Sequence, residues 1–396
     1  MMDLKIKTKF KKLVAEGNLV LLEKMLISGI SPDIKYPLQK TALMRSQNKE
    51  VLKLLLKYNA NKLATTIEGN PILIERILTL KNDDANIFFL LQENISPNIT
   101  NKYNQTALML PIISAKTLKH FIAYGANVNL LDNLGKSALM YQTNEDIIKL
   151  LIDKGADVNA FDKKGKSVLM YHIDEPEIVK MLLTKNIDIN HKDEFGKTAL
   201  MYATNLEVVK SLLNYNVNVN LCDKLGNTAL HYIVKSENEF KNEIIEELLE
   251  CNANINAVNF NGSSVLMEAR EIDTVKLLLQ NNVKVNLKNN EGKTALMQFV
   301  SEPYISIKRI KALLNAGADI NSCDNLGKTA LMYATEKASE PTIIIVDMLL
   351  QNGADITKKD SSGKTAYSYV LNLPSYNKFA RPLMERLRIK ETSLEK

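Results

Sequence analysis

Tryptophan is absent from the 396 residues, histidine occurs four times and cysteine three times. Cys222, Cys251 and Cys323 lie far apart, with no Cys-x-x-Cys pair and no nearby His pair, so the spacing of a zinc site is missing. They read as small, partly buried side chains in a reducing compartment. His120, His172, His191 and His231 are too scattered for a His-x-x-x-His ligand pair. A Gly-x-Ser-x-Gly elbow and a Cys/His nucleophile motif are also lacking. No apolar run approaches the roughly 18 residues a membrane span needs. The first residues, MMDLKIKTKFKKLVAEGN, carry lysines without the continuous apolar run of a secretory signal. These absences argue against an enzyme, a metal or cofactor site and a membrane partner, and make a cytoplasmic monomer the expectation.

What is present is ordinary in amount: 45% apolar and 24% charged residues, with a net charge of +6. That composition suits a folded protein, and the mild basic excess permits an acidic partner without requiring nucleic acid. The unusual feature is a triplet. Gly-Lys-Ser/Thr stands at Gly135, Gly165, Gly196, Gly292, Gly327 and Gly363. It resembles the end of a phosphate-binding loop, but that loop needs a second glycine five residues earlier. Those positions hold Leu130, Ala160, His191, Leu287, Ser322 and Lys358. A recurring triplet without its partner glycine points to a structural repeat.

Aligned on the residue after the Gly-Lys pair, the anchors are Thr41, Pro71, Thr106, Ser137, Ser167, Thr198, Thr228, Ser264, Thr294, Thr329 and Thr365. Successive gaps are 30, 35, 31, 30, 31, 30, 36, 30, 35 and 36 residues. Repeats therefore come in two lengths, which reads as one loop that is minimal or extended. In GKTALMYATNLEVVKSLLNYNVNVN, Ala199–Ala203 reads as a short helix with Thr198 placed to cap it. Asn205 caps a second helix over Leu206–Leu213, whose apolar face is Val208, Val209, Leu212 and Leu213. Neither helix can bury its face alone, so the units must stack.

The pattern Asp-x-x-Gly-x-Thr-x-Leu, a helix pair, then Leu-Leu-x-x-Gly-Ala-Asp-x-Asn resembles the ankyrin repeat. Residues 132–161 and 324–359 are the clearest copies, and residues 8–33 resemble an N-terminal helix pair with a Gly-Asn turn. The resemblance implies an all-α solenoid of stacked helix-turn-helix units with β-hairpin fingers and a concave groove. It implies one domain over 1–396: a capping pair at 8–35, about ten repeats over 36–359, a capping repeat at 360–390 and a tail at 391–396. The 30-residue copies are shorter than the family's unit, so their interhelix turn is compressed and their first helix short; residues 234–243, 300–308 and 335–342 restore the connection. The family's Thr-Pro-Leu-His is here Thr-Ala-Leu-Met, and only His231 keeps the histidine. The methionines read as core filler.

Two columns offer themselves to a partner. The residue before the anchor is lysine at Lys40, Lys136, Lys166, Lys197, Lys293, Lys328 and Lys364, an interrupted basic rail for an acidic protein surface. Two residues earlier stand the turn tips, including Leu134, Phe195, Leu225 and Leu326. A tyrosine column, Tyr141, Tyr171, Tyr202, Tyr232 and Tyr333, reads as half-buried packing rather than a recognition ladder. The function expected is a non-enzymatic scaffold that binds a partner protein. RNA or another polyanion on the lysine rail is the alternative, weakened because basic and aromatic residues do not visibly interleave along the groove column. Delivery into a host cell as an effector is a third reading.

Overall fold

The computed structural model describes residues 4–80, 83–337, 340–373 and 378–394. The chain is all-helical among these residues and divides into two compact units, Met1–Asp188 and Ile189–Lys396. The first begins with a helix pair, Leu4–Glu16 and Leu19–Ile27, joined by Gly17 at φ 68° and by Asn18, whose side chain accepts from the Leu21 N–H. The expected Gly-Asn turn is therefore present. Helix pairs then follow one another through both units.

Second helices are nearly constant in length: Lys49–Lys57, Glu145–Asp153, Leu206–Asn214 and Ile307–Asn315 all have 9 residues. Each buries one stripe, such as Val208, Val209 and Leu212, against its neighbours. Full burial of such a side chain contributes about 1.5–3 kcal/mol. First helices vary with repeat length. In the short repeats they are single turns, such as Ala42–Arg45, Val168–Tyr171, Ala199–Tyr202 and Val265–Glu268, or 3₁₀ turns at Ala107–Met109 and Ala138–Met140. In the long repeats they are Ile72–Thr79, Ala229–Lys235, Ala295–Ser301 and Ala330–Lys337. The connection that the spacing marks as minimal or extended is thus partly a helix turn gained or lost.

Met44, Met109, Met140, Met170, Met201, Met267, Met297 and Met332 are all buried, as core filler should be. His231, at the same position, is fully buried: its Nδ1 accepts from the Thr228 N–H at 3.2 Å, which leaves Nε2–H to donate to Ser263 O at 3.3 Å. Burial holds its pKa below the ordinary imidazole value, so it is neutral. The Asn205 cap is present, accepting from the Glu207 and Val208 N–H groups at 2.8 and 3.3 Å. Thr198 differs from expectation. Its backbone is extended as an N-cap requires and its carbonyl accepts from the Met201 N–H, but its hydroxyl makes no cap bond.

Between repeats the chain runs through turns, and the described residues carry isolated bridges such as Cys222↔Thr228 and Val258↔Ser264 rather than strands. An asparagine ladder ties these segments together. In the first unit, Asn129 accepts from Asp157 N–H and donates to Gly155 O; in the second, Asn220 accepts from Asn254 N–H and donates to Asn252 O.

Candidate binding surface

Each Asp-initiated turn is built by one carboxylate. Asp223 Oδ1 accepts from the Leu225 and Asn227 N–H groups at 2.8 Å each, and Asp223 N–H donates to Asn227 O at 3.0 Å. Gly226 closes the turn at φ 82°, where a side chain is strained, and a Cβ there would lie 2.6 Å from the Phe260 nitrogen of the next turn. Glycine is required by conformation and by close approach together, which explains a recurring Gly with no phosphate to bind. The tip carbonyl then receives the next turn: Lys163 N–H donates to Leu134 O, Lys224 N–H to Phe195 O, Phe260 N–H to Leu225 O and Ser361 N–H to Leu326 O, all at 2.8–2.9 Å.

The second carboxylate oxygen holds a tyrosine. The hydroxyls of Tyr141, Tyr171, Tyr202, Tyr232, Tyr333 and Tyr369 donate to Oδ2 of Asp132, Asp162, Asp193, Asp223, Asp324 and Asp360 at 2.5–2.7 Å. Burial and this bond push the Tyr171, Tyr202, Tyr232 and Tyr333 hydroxyls above their ordinary value. Burial alone would raise the Asp223 carboxyl, but the Tyr232 hydroxyl and the turn N–H groups outweigh it and hold it low. Where the turn residue is Asn259, the position nine residues on is Glu268, with Asn259 Nδ2 donating to Oε1 at 3.5 Å. Donor and acceptor have exchanged places.

The lysines lie on these rings. Lys136 Nζ sits 5.2 Å from the Tyr141 ring centre and 4.6 Å from that of Tyr171; Lys166 lies 5.3 Å from Tyr171. In the second unit Lys197 lies between Tyr202 and Tyr232, at 5.1 and 4.1 Å, and Lys328 between Tyr333 and Tyr369, at 5.4 and 4.8 Å. Lys293 also faces Tyr333, and Lys364 faces Tyr369. Carboxylates also engage the column, as at Lys40 with Glu75 at 2.6 Å, Lys293 with Glu291 at 2.7 Å and Lys328 with Glu336 at 2.9 Å. Basic and aromatic groups therefore do interleave, contrary to the sequence reading, because the residue nine after the Asp lies back over its own turn. Yet each Asp-built turn that supplies a lysine also supplies the carboxylate that locks the tyrosine.

The tips are different. Leu134 and Leu326 are exposed, and in the second unit Phe195, Leu225 and Phe260 are 58%, 66% and 68% exposed on three successive turns. Phe260 lies outside the tip column, because that turn's residue at the fixed offset is Asn261. The signal was one residue away: two apolar letters flanking Asn259 at Val258 and Phe260. Among the described residues no cluster of His, Cys, Asp and Glu is placed to hold a metal ion, and no helix is long and apolar enough to cross a membrane.

Stacked helix pairs, Asp-built turns and a cross-repeat asparagine ladder define a helical repeat protein of the kind that presents side chains to other proteins. A family description, ankyrin repeats (3 copies), matches residues 77–162, 112–193, 141–221, 169–259, 204–289 and 265–360. The chain belongs to the ankyrin-repeat family. A comparison with curated proteins finds no match.

Proposed function

We propose that this protein is a non-enzymatic cytoplasmic adaptor, its repeats over 1–396 working as one array that binds another protein through its turn tips and the groove beside them. The observation that carries the reading is the row Phe195, Leu225 and Phe260. Three large apolar side chains stand in water on consecutive turns, flanked by exposed Glu194 and Lys224. Contiguous exposed apolar groups with a charged rim are what a protein partner covers, and aromatic anchors carry most of such binding energy. β-Hairpin character in the turns belongs to this reading, as tips that keep their shape when bound. Leu134 and Leu326 extend the tip row within their own units. The lysines at 40, 136, 166, 197, 293, 328 and 364 set the charge beside it, and favour a partner with acidic groups.

The polyanion alternative is weaker for a physical reason. A phosphate track needs unbalanced positive charge, and here Asp132, Asp162, Asp193, Asp324 and Asp360 stand in the same turns as their lysines. Partner capture at low and high salt separates the readings. With Lys136, Lys166 and Lys197 replaced by Gln, modest weakening at low salt only is expected. Loss of most binding with a steep salt dependence in the parent protein would favour the polyanion.

A further inference from the structure

Where a long repeat follows a short one, its longer first helix overhangs its neighbour and the step must be filled. Between 41–70 and 71–105, Arg76 fills it: Nη1 donates to Leu43 O at 2.8 Å, Nη2 to Ser46 O at 2.9 Å, and Nε pairs with Asp83 at 2.6 Å. Asn86 reaches across as well, Nδ2 donating to Gln47 O. Between 264–293 and 294–328, Arg309 donates to Ala269 O and lies over the Phe299 ring. The step between 198–227 and 228–263 keeps the asparagine bridge, Asn238 Nδ2 to Thr204 O, but lacks the arginine. The position of Arg76, five residues after its anchor, is Ile233 here, and the residue facing it is Ala203. A cavity of about 190 Å3 remains, lined by buried Met201, Ala203 and Ile233, half-buried Tyr232 and Ser236 and exposed Thr204; no charged side chain lines it.

We propose that this cavity is the anchor pocket for one apolar side chain, branched aliphatic or phenyl, of the bound protein; the assignment of its occupant rests on the protein-binding reading. Size decides the class. A drug-sized ligand needs about 300–1,000 Å3, whereas an apolar cavity of about 150 Å3 stays dry and takes a benzene ring. Charge decides the setting. Tyr232, one of the lining residues, carries the Lys197 ammonium on its ring at 4.1 Å, which sets a cation near the cavity for an acidic neighbour of the entering residue. The other short-to-long steps already hold their own side chains, which makes this the place in the second unit where a partner's side chain can complete the packing.

The test uses the full chain with methyl-labelled methionine, since Met201 is one of 14 methionines and lines the cavity. Toluene and N-acetylleucinamide present the phenyl and isobutyl groups. Either should shift the Met201 methyl saturably. The shift should shrink in Ala203→Val and vanish in Ala203→Leu, with both variants melting at or above the parent temperature because they fill a void. No Met201 shift with either probe, or a shift that survives Ala203→Leu, overturns the pocket. Capture of a partner by the parent but equally by Ala203→Leu overturns the occupant while leaving the tip surface standing. Loss of capture on tip substitution with an intact Met201 response keeps the two results distinct.

Discussion

Short and long repeats solve the same junction differently. In most short repeats, where the chain turns from first helix to second, a neutral side chain caps the second helix: Asn48, Ser114, Asn144 and Asn205 each accept from its first N–H groups, whereas Glu175 and Glu271 in the repeats anchored at Ser167 and Ser264 make no such bond. In three long repeats the residues at that position, Asp83, Phe240 and Ser306, make no such bond. A buried cation stands there instead: Arg76 with Asp83, Lys241 with Glu271 and Ser236 O, and Arg309 with Glu302. A cap needs only one local bond. The longer first helix covers carbonyls of the preceding repeat, Leu43 and Ser46 beneath Arg76 and Ala269 beneath Arg309, and a long cationic side chain can satisfy several at once. Lengthening a repeat therefore goes with a buried cation at this junction, where most short repeats use a neutral local cap.

The contrast is broken most strongly at Arg76. Arg76→Leu should cost about 3–5 kcal/mol, because it leaves the buried Asp83 charge without its cation and two carbonyls without a donor; urea denaturation measures it. Adding Asp83→Leu should recover a good part, since a buried pair replaced by apolar groups is often tolerated. In a short repeat, Asn205→Ala should cost only about 1 kcal/mol. Equal losses at the two sites would erase the distinction.

The tyrosine clasp is common to both lengths and should respond to pH in both. The hydroxyls of Tyr171, Tyr202, Tyr232 and Tyr333 have raised pKa values, so their contribution is complete below about pH 10 and is lost as pH rises beyond it. The carboxyls of Asp223 and Asp360 are held low, so their contribution is present above about pH 4 and is lost as pH falls below it. Melting temperature against pH should therefore fall at both ends. Tyr232→Phe should flatten the alkaline limb slightly and cost about 1 kcal/mol, the size of one net hydrogen bond. The smallest effect is expected at Asn216, which takes φ 58° after a second helix, a position held by asparagine in some repeats, such as Asn252 and Asn282, and by glycine in others, such as Gly317 and Gly353. Asn216→Gly should change stability by no more than about 0.5 kcal/mol, and toward stabilisation.

Much of this was legible beforehand. Period fixed the helix pairs, and the gap lengths pointed to the connection that varies. Asn205 as a cap and the buried methionines followed from local chemistry that needs no knowledge of neighbours. What escaped depends on contacts across repeats. The sequence shows Lys197 and Tyr202 five residues apart, but not that Tyr232 of the next repeat covers the same ammonium. Arg76 reads as one charged letter in a degenerate copy, and its three buried partners come from another repeat and from beyond its own helix. Phe260 was missed because a fixed offset cannot follow a turn whose exposed side chain sits one residue earlier.

The central claim is that the tips bind a protein. Its most direct test is affinity capture from native lysate, read by mass spectrometry, with the parent chain, a Phe195→Ser/Leu225→Ser/Phe260→Ser variant, and a Tyr304→Ser control that removes the 92% exposed Tyr304 elsewhere in the second unit. All three should melt alike. The account predicts that a discrete protein is captured by the parent and by the control and is lost from the tip variant. Equal capture by the parent and the tip variant would contradict it.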